Sequence, residues 1–183
     1  MSTETAILDA AFALLVEHGA GGMTTRAVCD AVGIKSPTLY HYFGDKEGLE
    51  VALVQRGLAD FMRRKKQLPV SADPLDQLRE GWDVALDFAL KWPALYGLFL
   101  NHARTRPELT ADAYAVMQAR VQRLVDMGRL LGPVDKAACA VWAASQGAMS
   151  LVAQATPLPR AEVLAVSDLL FNAIIAELSP PVG

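Results

Sequence analysis

The spacing of apolar residues along this chain predicts helices throughout, with apolar positions recurring every three or four residues and no convincing strand. The predicted helices cover about residues 7–19, 25–32, 36–42, 46–67, 74–89, 93–102, 105–131, 135–154 and 163–177. Capping signals support several boundaries: Thr24 and Asp45 offer side-chain oxygens to the helices that follow them, and Gly33 is the expected left-handed residue after the second helix. Pro37 stands in the first turn of the third helix, where its missing N–H costs nothing. The predicted fold class is all-α, with about nine helices.

Composition narrows the class of protein. Hydrophobic residues make up 52% of the 183 residues and charged residues 20%, which is enough for a core and excludes general disorder. The formal net charge of -3 excludes a nucleic-acid binder that works by bulk positive charge, but it does not exclude one with a local patch. The two cysteines, Cys29 and Cys139, are too few for a disulfide framework or a zinc cluster, and both are expected to pack inside their helices. No metal and no cofactor are expected.

One segment is long and uncharged enough to raise the question of a membrane span. Residues 137–159 contain no charged side chain. However, Gln146, Ser150 and Gln154 recur every four residues and draw a polar line down this helix, so a buried helix is favoured. The N-terminus lacks the basic and apolar regions of a signal peptide, and a cytoplasmic protein without membrane contact is expected.

The most informative stretch is residues 24–49, TTRAVCDAVGIKSPTLYHYFGDKEGL. Two short helices joined at a glycine, the second opened by Ser-Pro, are typical of a helix-turn-helix that recognises DNA. Residues 5–50 resemble the N-terminal domain of the tetracycline-repressor (TetR) family of bacterial transcription regulators, in TTR, the glycine turn, SPTLYHYF as recognition helix and the following DKEGL. The resemblance implies a three-helix DNA-binding domain over residues 1–48 and a helical bundle for effector binding and dimerisation over residues 49–183.

The same resemblance implies roles for individual residues on DNA. These residues are Thr25, Arg26, Lys35, Ser36, Pro37, Thr38, Tyr40, His41, Tyr42 and Lys46. The first two are expected at the groove edge and the next four in the groove. Tyr40 and Lys46 are expected on phosphates, and His41 is expected to face bases or backbone. Tyr42 is either a phosphate contact or a packing residue. The alternative is that Tyr40 and Tyr42 are core aromatics and Lys46 is a solvated residue at a helix start.

Charge is balanced in the first 66 residues, where eight Lys and Arg stand against eight Asp and Glu. Because few phosphate charges can then be neutralised, weak non-specific binding and a modest dependence on salt are expected. The basic run RRKK at residues 63–66 is expected to be a solvated helix end rather than a DNA contact.

Eight of the thirteen aromatic residues lie beyond residue 67, where the resemblance implies a small-molecule pocket between helices. The candidate pocket residues are Trp82, Phe88, Tyr96, Phe99, His102, Tyr114, Met117, Trp142 and Gln146. The alternative for each aromatic is a place in the core of the bundle, and for His102 it is a satisfied or surface histidine. One subtype of the family carries a Trp…His-Gly signature in the eighth helix. Gln146 stands here where that histidine is expected, so no role of it is transferred.

The eighth helix is rich in small residues and the ninth carries an apolar stripe, which together suit a two-fold interface of four helices. The candidate interface residues are Ala144, Gly147, Ala148, Val163, Val166, Leu170 and Ile174. A homodimer would place two recognition helices about one helical turn apart on palindromic DNA. The alternative is that both helices complete the core of the single chain.

The leading hypothesis is a ligand-responsive, homodimeric DNA-binding regulator, a repressor released from a palindromic operator by a small molecule. An enzyme is not expected, because no Ser-His-Asp arrangement, Glu-x-x-His pair or glycine-rich phosphate loop occurs in the sequence. A third hypothesis is a helical small-molecule-binding module whose DNA head is silent.

Overall fold

The computed structural model describes residues 2–67, 71–154, 156 and 158–181 of the chain. Within these residues it has nine α-helices, a short 3-10 turn and no strand, as the apolar spacing predicts. The helices are α1 (Thr3–Gly22), α2 (Thr25–Val32), α3 (Ser36–Phe43), α4 (Lys46–Gln67), α5 (Pro74–Lys91), α6 (Pro93–Ala103), α7 (Glu108–Asp126), α8 (Val134–Ser150) and α9 (Arg160–Leu178). None of the described helices combines the length and hydropathy that crossing a bilayer requires.

The chain packs into two compact units, and neither is one continuous segment. Unit 1 consists of residues 1–60 and 92–106, and unit 2 consists of residues 61–91 and 107–183. Helix α6 therefore packs with the N-terminal helices, although α5 before it and α7 after it belong to unit 2. The predicted domain boundary at residue 48 was placed at the end of the helix-turn-helix motif and does not coincide with a boundary between these units. It stays a prediction.

The core of unit 1 forms around α1, which contacts both α2 and α6. Ile7, Ala11 and Leu15 recur every four residues on α1 and are fully buried, and Val28 of α2 and Leu39 of α3 are fully buried as well. Burial of a leucine or isoleucine side chain contributes about 1.5–3 kcal/mol. These contacts hold α2 and α3 by one side each and leave their other sides to solvent.

The core of unit 2 is shared by α5, α7, α8 and α9. Trp82 of α5 packs edge-to-face on Phe171 of α9, with ring centroids 5.3 Å apart, and its indole N–H donates to Ser167 Oγ at 2.7 Å. Arg79, less than one turn before Trp82, pairs with Asp168 and lies over the Phe171 ring. The α5–α9 contact is therefore made by apolar burial together with satisfied polar groups.

The capping signals at α2 and α4 are confirmed. Thr24 Oγ1 accepts a hydrogen bond from the Ala27 N–H at 3.1 Å, and Asp45 Oδ1 accepts one from the Gly48 N–H at 2.7 Å. Gly33 takes the left-handed conformation expected of it, with φ 72°. Helix α2 begins and ends at the predicted residues, because its boundaries are decided by these local bonds.

Two helices end earlier than the apolar pattern predicts. Helix α7 ends at Asp126 rather than near residue 131, because Gly128 turns the chain at φ 68° and the Arg129 N–H bonds back to Leu124 O at 2.9 Å. Helix α8 ends at Ser150, and the 3-10 turn over Leu151–Ala153 takes residues that were expected in its last turn.

The two cysteines differ in burial. Cys29 is buried as expected, whereas Cys139 is exposed on α8, which corrects the prediction. A buried helix was expected here, but Cys139, Ala143 and Gly147, spaced four residues apart on α8, are exposed in the single chain. The side chains of residues 64–66 lie outside the described residues, so the solvated run stays a prediction.

Candidate DNA-binding surface

The turn between α2 and α3 directs α3 across the surface of unit 1. The N–H groups of Gly33 and Ile34 return to the carbonyl oxygens of Asp30 and Cys29, at 3.3 and 3.0 Å. Lys35 is extended, and α3 begins directly after it with proline in its first turn. Two short helices joined by a turn of this kind form a helix-turn-helix.

Helix α3 has one buried side and one exposed side. Leu39 is fully buried, whereas Tyr40 and Tyr42 are each 44% exposed. His41 is also exposed and meets the edge of the Tyr42 ring, with centroids 5.5 Å apart. The alternative that both tyrosines are core aromatics is therefore wrong. Neighbouring exposed rings with polar tips suit a surface that binds a partner better than they suit packing.

The ten predicted DNA-contact residues all lie on α2, on α3 or at a helix start beside them, within unit 1. Eight of them are exposed: Arg26, Lys35, Ser36, Pro37, Tyr40, His41, Tyr42 and Lys46. Thr25 and Thr38 are half-buried. The helix-turn-helix thus presents polar, aromatic and basic side chains together, and their individual contacts with DNA stay predictions.

The corner between α3 and α4 depends on Gly48. A Cβ atom on this residue would lie against the carbonyl oxygen of Phe43, closer than real side chains approach backbone. Only glycine lets the first turn of α4 pack this closely on the end of the recognition helix. Gly48 stands within the DKEGL motif, but this role was not predicted, although a glycine inside a helical pattern is a sign of a packing constraint.

Unit 1 carries more acidic than basic residues, with six Lys and Arg against eight Asp and Glu, a formal charge of -2. Arg26 lies 3.9 Å from Asp30, and Lys46 Nζ lies 3.5 Å from Glu50 Oε1. The Arg26 pair is long and exposed and contributes little to stability, and the Lys46 pair is longer than a charge-assisted hydrogen bond. Both cations are therefore available to a phosphate, but the surrounding charge opposes DNA binding by electrostatics alone.

Three of the nine pocket candidates lie in unit 1, on α6. Tyr96 and Phe99 are buried with ring centroids 5.4 Å apart, and burial raises the pKa of the Tyr96 phenol far above its usual value. His102 is buried, and its Nε2 lies 3.0 Å from Glu50 Oε2. This contact gives the buried imidazole a polar partner. His102 is therefore the satisfied histidine that the alternative reading anticipated.

The other six pocket candidates lie in unit 2. Trp82 and Met117 belong to its buried core, where Trp82 is already bonded to Ser167. Tyr114 and Trp142 are half-buried beside that core and meet edge-to-face at 5.5 Å. The remaining two, Phe88 and Gln146, are half-buried as well. The half-buried residues keep some surface for a ligand, and ligand binding by any of the six stays a prediction.

The predicted interface residues divide by burial. Ala148 and Val163 are 0% and 1% exposed in the single chain, so they pack within unit 2 and have no surface to offer a partner, which corrects that part of the prediction. Gly147 is exposed, and the half-buried members are Ala144, Val166, Leu170 and Ile174. Leu164 and Leu169, which were not among the predicted residues, are 38% and 67% exposed on α9. The sequence did hold a signal for them, since both are leucines next to residues of the apolar stripe predicted on α9.

These features define a class of protein: an all-helical chain with a helix-turn-helix near its N-terminus and an exposed recognition helix. Residues 7–53 match the family of bacterial regulatory proteins described as the tetR family. The match of this N-terminal segment confirms the predicted resemblance to the TetR family.

Two relatives are similar in sequence over part of the chain. The HTH-type transcriptional repressor KstR2 of Mycobacterium tuberculosis is 36% identical over 75 residues, which cover 40% of this chain and 37% of KstR2. The HTH-type transcriptional repressor AcnR of Corynebacterium efficiens is 28% identical over 121 residues, which cover 58% of this chain and 64% of AcnR. In these matches the chain spans less than two thirds of either relative.

The likeness of fold extends to the whole chain. The solved structure of the ketosteroid transcriptional regulator KstR2 of Mycobacterium tuberculosis has a TM-score of 0.70 at 17% identity and covers 98% of this chain and 96% of that one. The structure of RolR in complex with resorcinol has a TM-score of 0.73 at 16% identity and covers 98% and 88%. At these identities the likeness concerns the fold alone.

Proposed function

We propose that this protein is a DNA-binding transcriptional repressor that acts as a homodimer on a palindromic operator and is released from it by a small molecule. The observation that carries the proposal is the two-sided recognition helix, with Leu39 fully buried and Tyr40 and Tyr42 exposed. A helix anchored on one side, with polar and aromatic tips on the other, suits a major groove. That KstR2 and AcnR are transcriptional repressors supports the sign of regulation.

The proposed dimer uses the exposed surface of α8 and α9. Leu164 and Leu169 leave large apolar side chains uncovered in the single chain, and Gly147 allows close approach on α8. A two-fold axis would pair this surface with its own copy and present two recognition helices to successive major grooves. Analytical ultracentrifugation of Leu169→Glu tests this directly: a monomer is expected, and an unchanged dimer would contradict the assignment of this surface.

The proposed effector is a small molecule of unidentified structure, held in the C-terminal helical region. That RolR binds resorcinol within a similar fold supports a ligand of modest size. If the effector releases the operator, the operator must weaken effector binding by the same factor. Equal effector affinity with and without operator DNA would contradict the regulated part of the proposal.

The experiment that tests DNA recognition is selection from randomised duplex DNA by the purified protein, followed by the same selection with Tyr40→Ala and Tyr40→Phe. An enriched palindrome is expected for the wild type and a loss of enrichment for Tyr40→Ala. Tyr40→Phe keeps the ring and removes the hydroxyl, so weakened enrichment there would assign a hydrogen bond to the phenol. No enrichment by the wild type at low salt would contradict the proposal.

The formal charge of -2 on unit 1 favours a second candidate function, a small-molecule-binding module with a silent DNA head. It predicts ligand binding without any selected DNA sequence. The same selection experiment separates the two candidates, since they differ only in the behaviour of the helix-turn-helix.

A further inference from the structure

The first turns of α4 hold a concentration of negative charge where DNA binding calls for positive charge. Lys46, the proposed phosphate contact, stands among Asp45, Glu47 and Glu50. Asp45 is occupied in capping the Gly48 N–H. Both glutamates carry the same sign of charge as a phosphate, and Glu50, whose Oε1 lies 3.5 Å from Lys46 Nζ, attracts that ammonium group.

The end of α6 and the turn that follows it supply a partner for each glutamate. His102 Nε2 lies 3.0 Å from Glu50 Oε2, with the side chains only 10% and 17% exposed. Arg106 Nη2 lies 3.1 Å from Glu47 Oε1, with the side chains 39% and 60% exposed. The histidine contact is the more buried of the two and is therefore the less screened by solvent and salt.

Glu50 uses its two oxygens unequally. Oε2 has hydrogen-bond geometry with His102, while Oε1 lies 3.5 Å from Lys46 Nζ, beyond the 2.7–2.9 Å of a charge-assisted hydrogen bond. Lys46 is therefore held loosely and keeps 46% of its side chain exposed. The stronger contact of Glu50 is with the buried imidazole.

We propose that His102 is a positioning residue for DNA binding, which holds Glu50 so that Lys46 stays free for a DNA phosphate. Without the imidazole, the half-buried Glu50 carboxylate has Lys46 as its nearest cation and draws the ammonium group into a close ion pair. The phosphate then competes with an intramolecular partner. This inference rests on the proposed function, since it needs DNA bound at α3 and the start of α4.

The test is a double-mutant cycle on the selected operator, with the dissociation constant measured against salt by fluorescence anisotropy. Lys46→Ala is expected to weaken binding roughly three- to tenfold near 0.1 M salt and to lower the salt slope by about one, the loss of one phosphate contact. His102→Ala is expected to produce a change in the same direction and to lower the slope likewise. In the Lys46→Ala background His102→Ala is expected to have no further effect, because the lysine it protects is gone.

Two further variants test the inference even if His102→Ala does not fold. His102→Gln places an amide donor near the position of Nε2 and is expected to restore most of the binding that His102→Ala loses. Glu50→Gln removes the competing charge while leaving an acceptor for His102, and it is expected to bind the operator at least as tightly as the wild type. Circular dichroism spectra of each variant are the check that it is folded.

Several outcomes would overturn the inference. His102→Ala with unchanged operator affinity would do so, as would a loss of affinity that persists in full when Lys46 is already alanine. If His102→Ala does not fold, weakened binding by Glu50→Gln would be decisive against it. A wild-type protein that selects no DNA would overturn the proposed function instead, and the two failures are therefore distinguishable.

Discussion

Aromatic residues behave oppositely on α3 and in the interior of unit 2. Tyr40 and Tyr42 are each 44% exposed, whereas Trp82 and Phe171 are 6% and 5% exposed and meet edge-to-face. Both regions are helical and both carry aromatic residues. The comparison shows that residue type does not separate an exposed surface from a core; the neighbouring element that covers a helix, or leaves it uncovered, does.

Among the substitutions that test this comparison, Trp82→Ala is expected to cause the largest loss of stability. The substitution removes a buried ring and leaves the Ser167 hydroxyl without its donor, so unit 2 should lose roughly 3–5 kcal/mol of stability. Urea unfolding followed by circular dichroism measures it. Trp82→Phe, which keeps a ring but not the indole N–H, should lose less. An effect below about 1 kcal/mol for Trp82→Ala would mean that the ring is not part of the core.

The next largest loss of stability is expected from Leu39→Ala, which tests the buried side of the recognition helix. Leu39 is fully buried in unit 1, and its truncation should cost roughly 2–5 kcal/mol. Urea unfolding again reports the loss. DNA binding by whatever fraction remains folded should persist, since the exposed side of α3 is untouched. A stable Leu39→Ala protein that no longer binds DNA would reverse the assignment of the two sides.

A smaller, pH-dependent effect is expected at Tyr96, a buried aromatic of unit 1. Burial raises the pKa of its phenol in the folded chain above the unfolded value. The folded state therefore holds the proton more tightly, so stability is kept below the unfolded pKa and falls as the pH rises above about 10. Each pH unit in that range should remove up to about 1.4 kcal/mol. The loss is measured by urea unfolding against pH, and a Tyr96→Phe protein with the same alkaline decline would contradict this origin.

The smallest effect on stability is expected from Tyr40→Ala, on the exposed side of α3. Because the side chain lies on the surface, the free energy of unfolding should change by less than about 0.5 kcal/mol. Operator binding should nevertheless be lost or strongly weakened, measured by the anisotropy titration used above. A large loss of stability would show that the ring packs in the core after all.

Much of the helix-turn-helix was predictable because its signals are local. The cap at Thr24, the left-handed Gly33 and the cap at Asp45 each act within three residues, and all three occur as predicted. Burial in unit 2 was harder to predict from the sequence, because whether Ala148 and Val163 are buried depends on which helices cover α8 and α9. The exposure of Leu164 and Leu169 depends on the same arrangement.

By itself, the sequence determined the all-helical class, the boundaries of α2, the helix-turn-helix and the family that its N-terminal segment resembles. Caps, turns and the motif act over a few residues and are readable in order along the chain. Only the tertiary structure decided that α6 packs with the N-terminal helices, that Glu50 meets His102 across 52 positions, and that Cys139 faces solvent. Contacts between residues so far apart in sequence depend on how whole helices pack, and no short pattern specifies that.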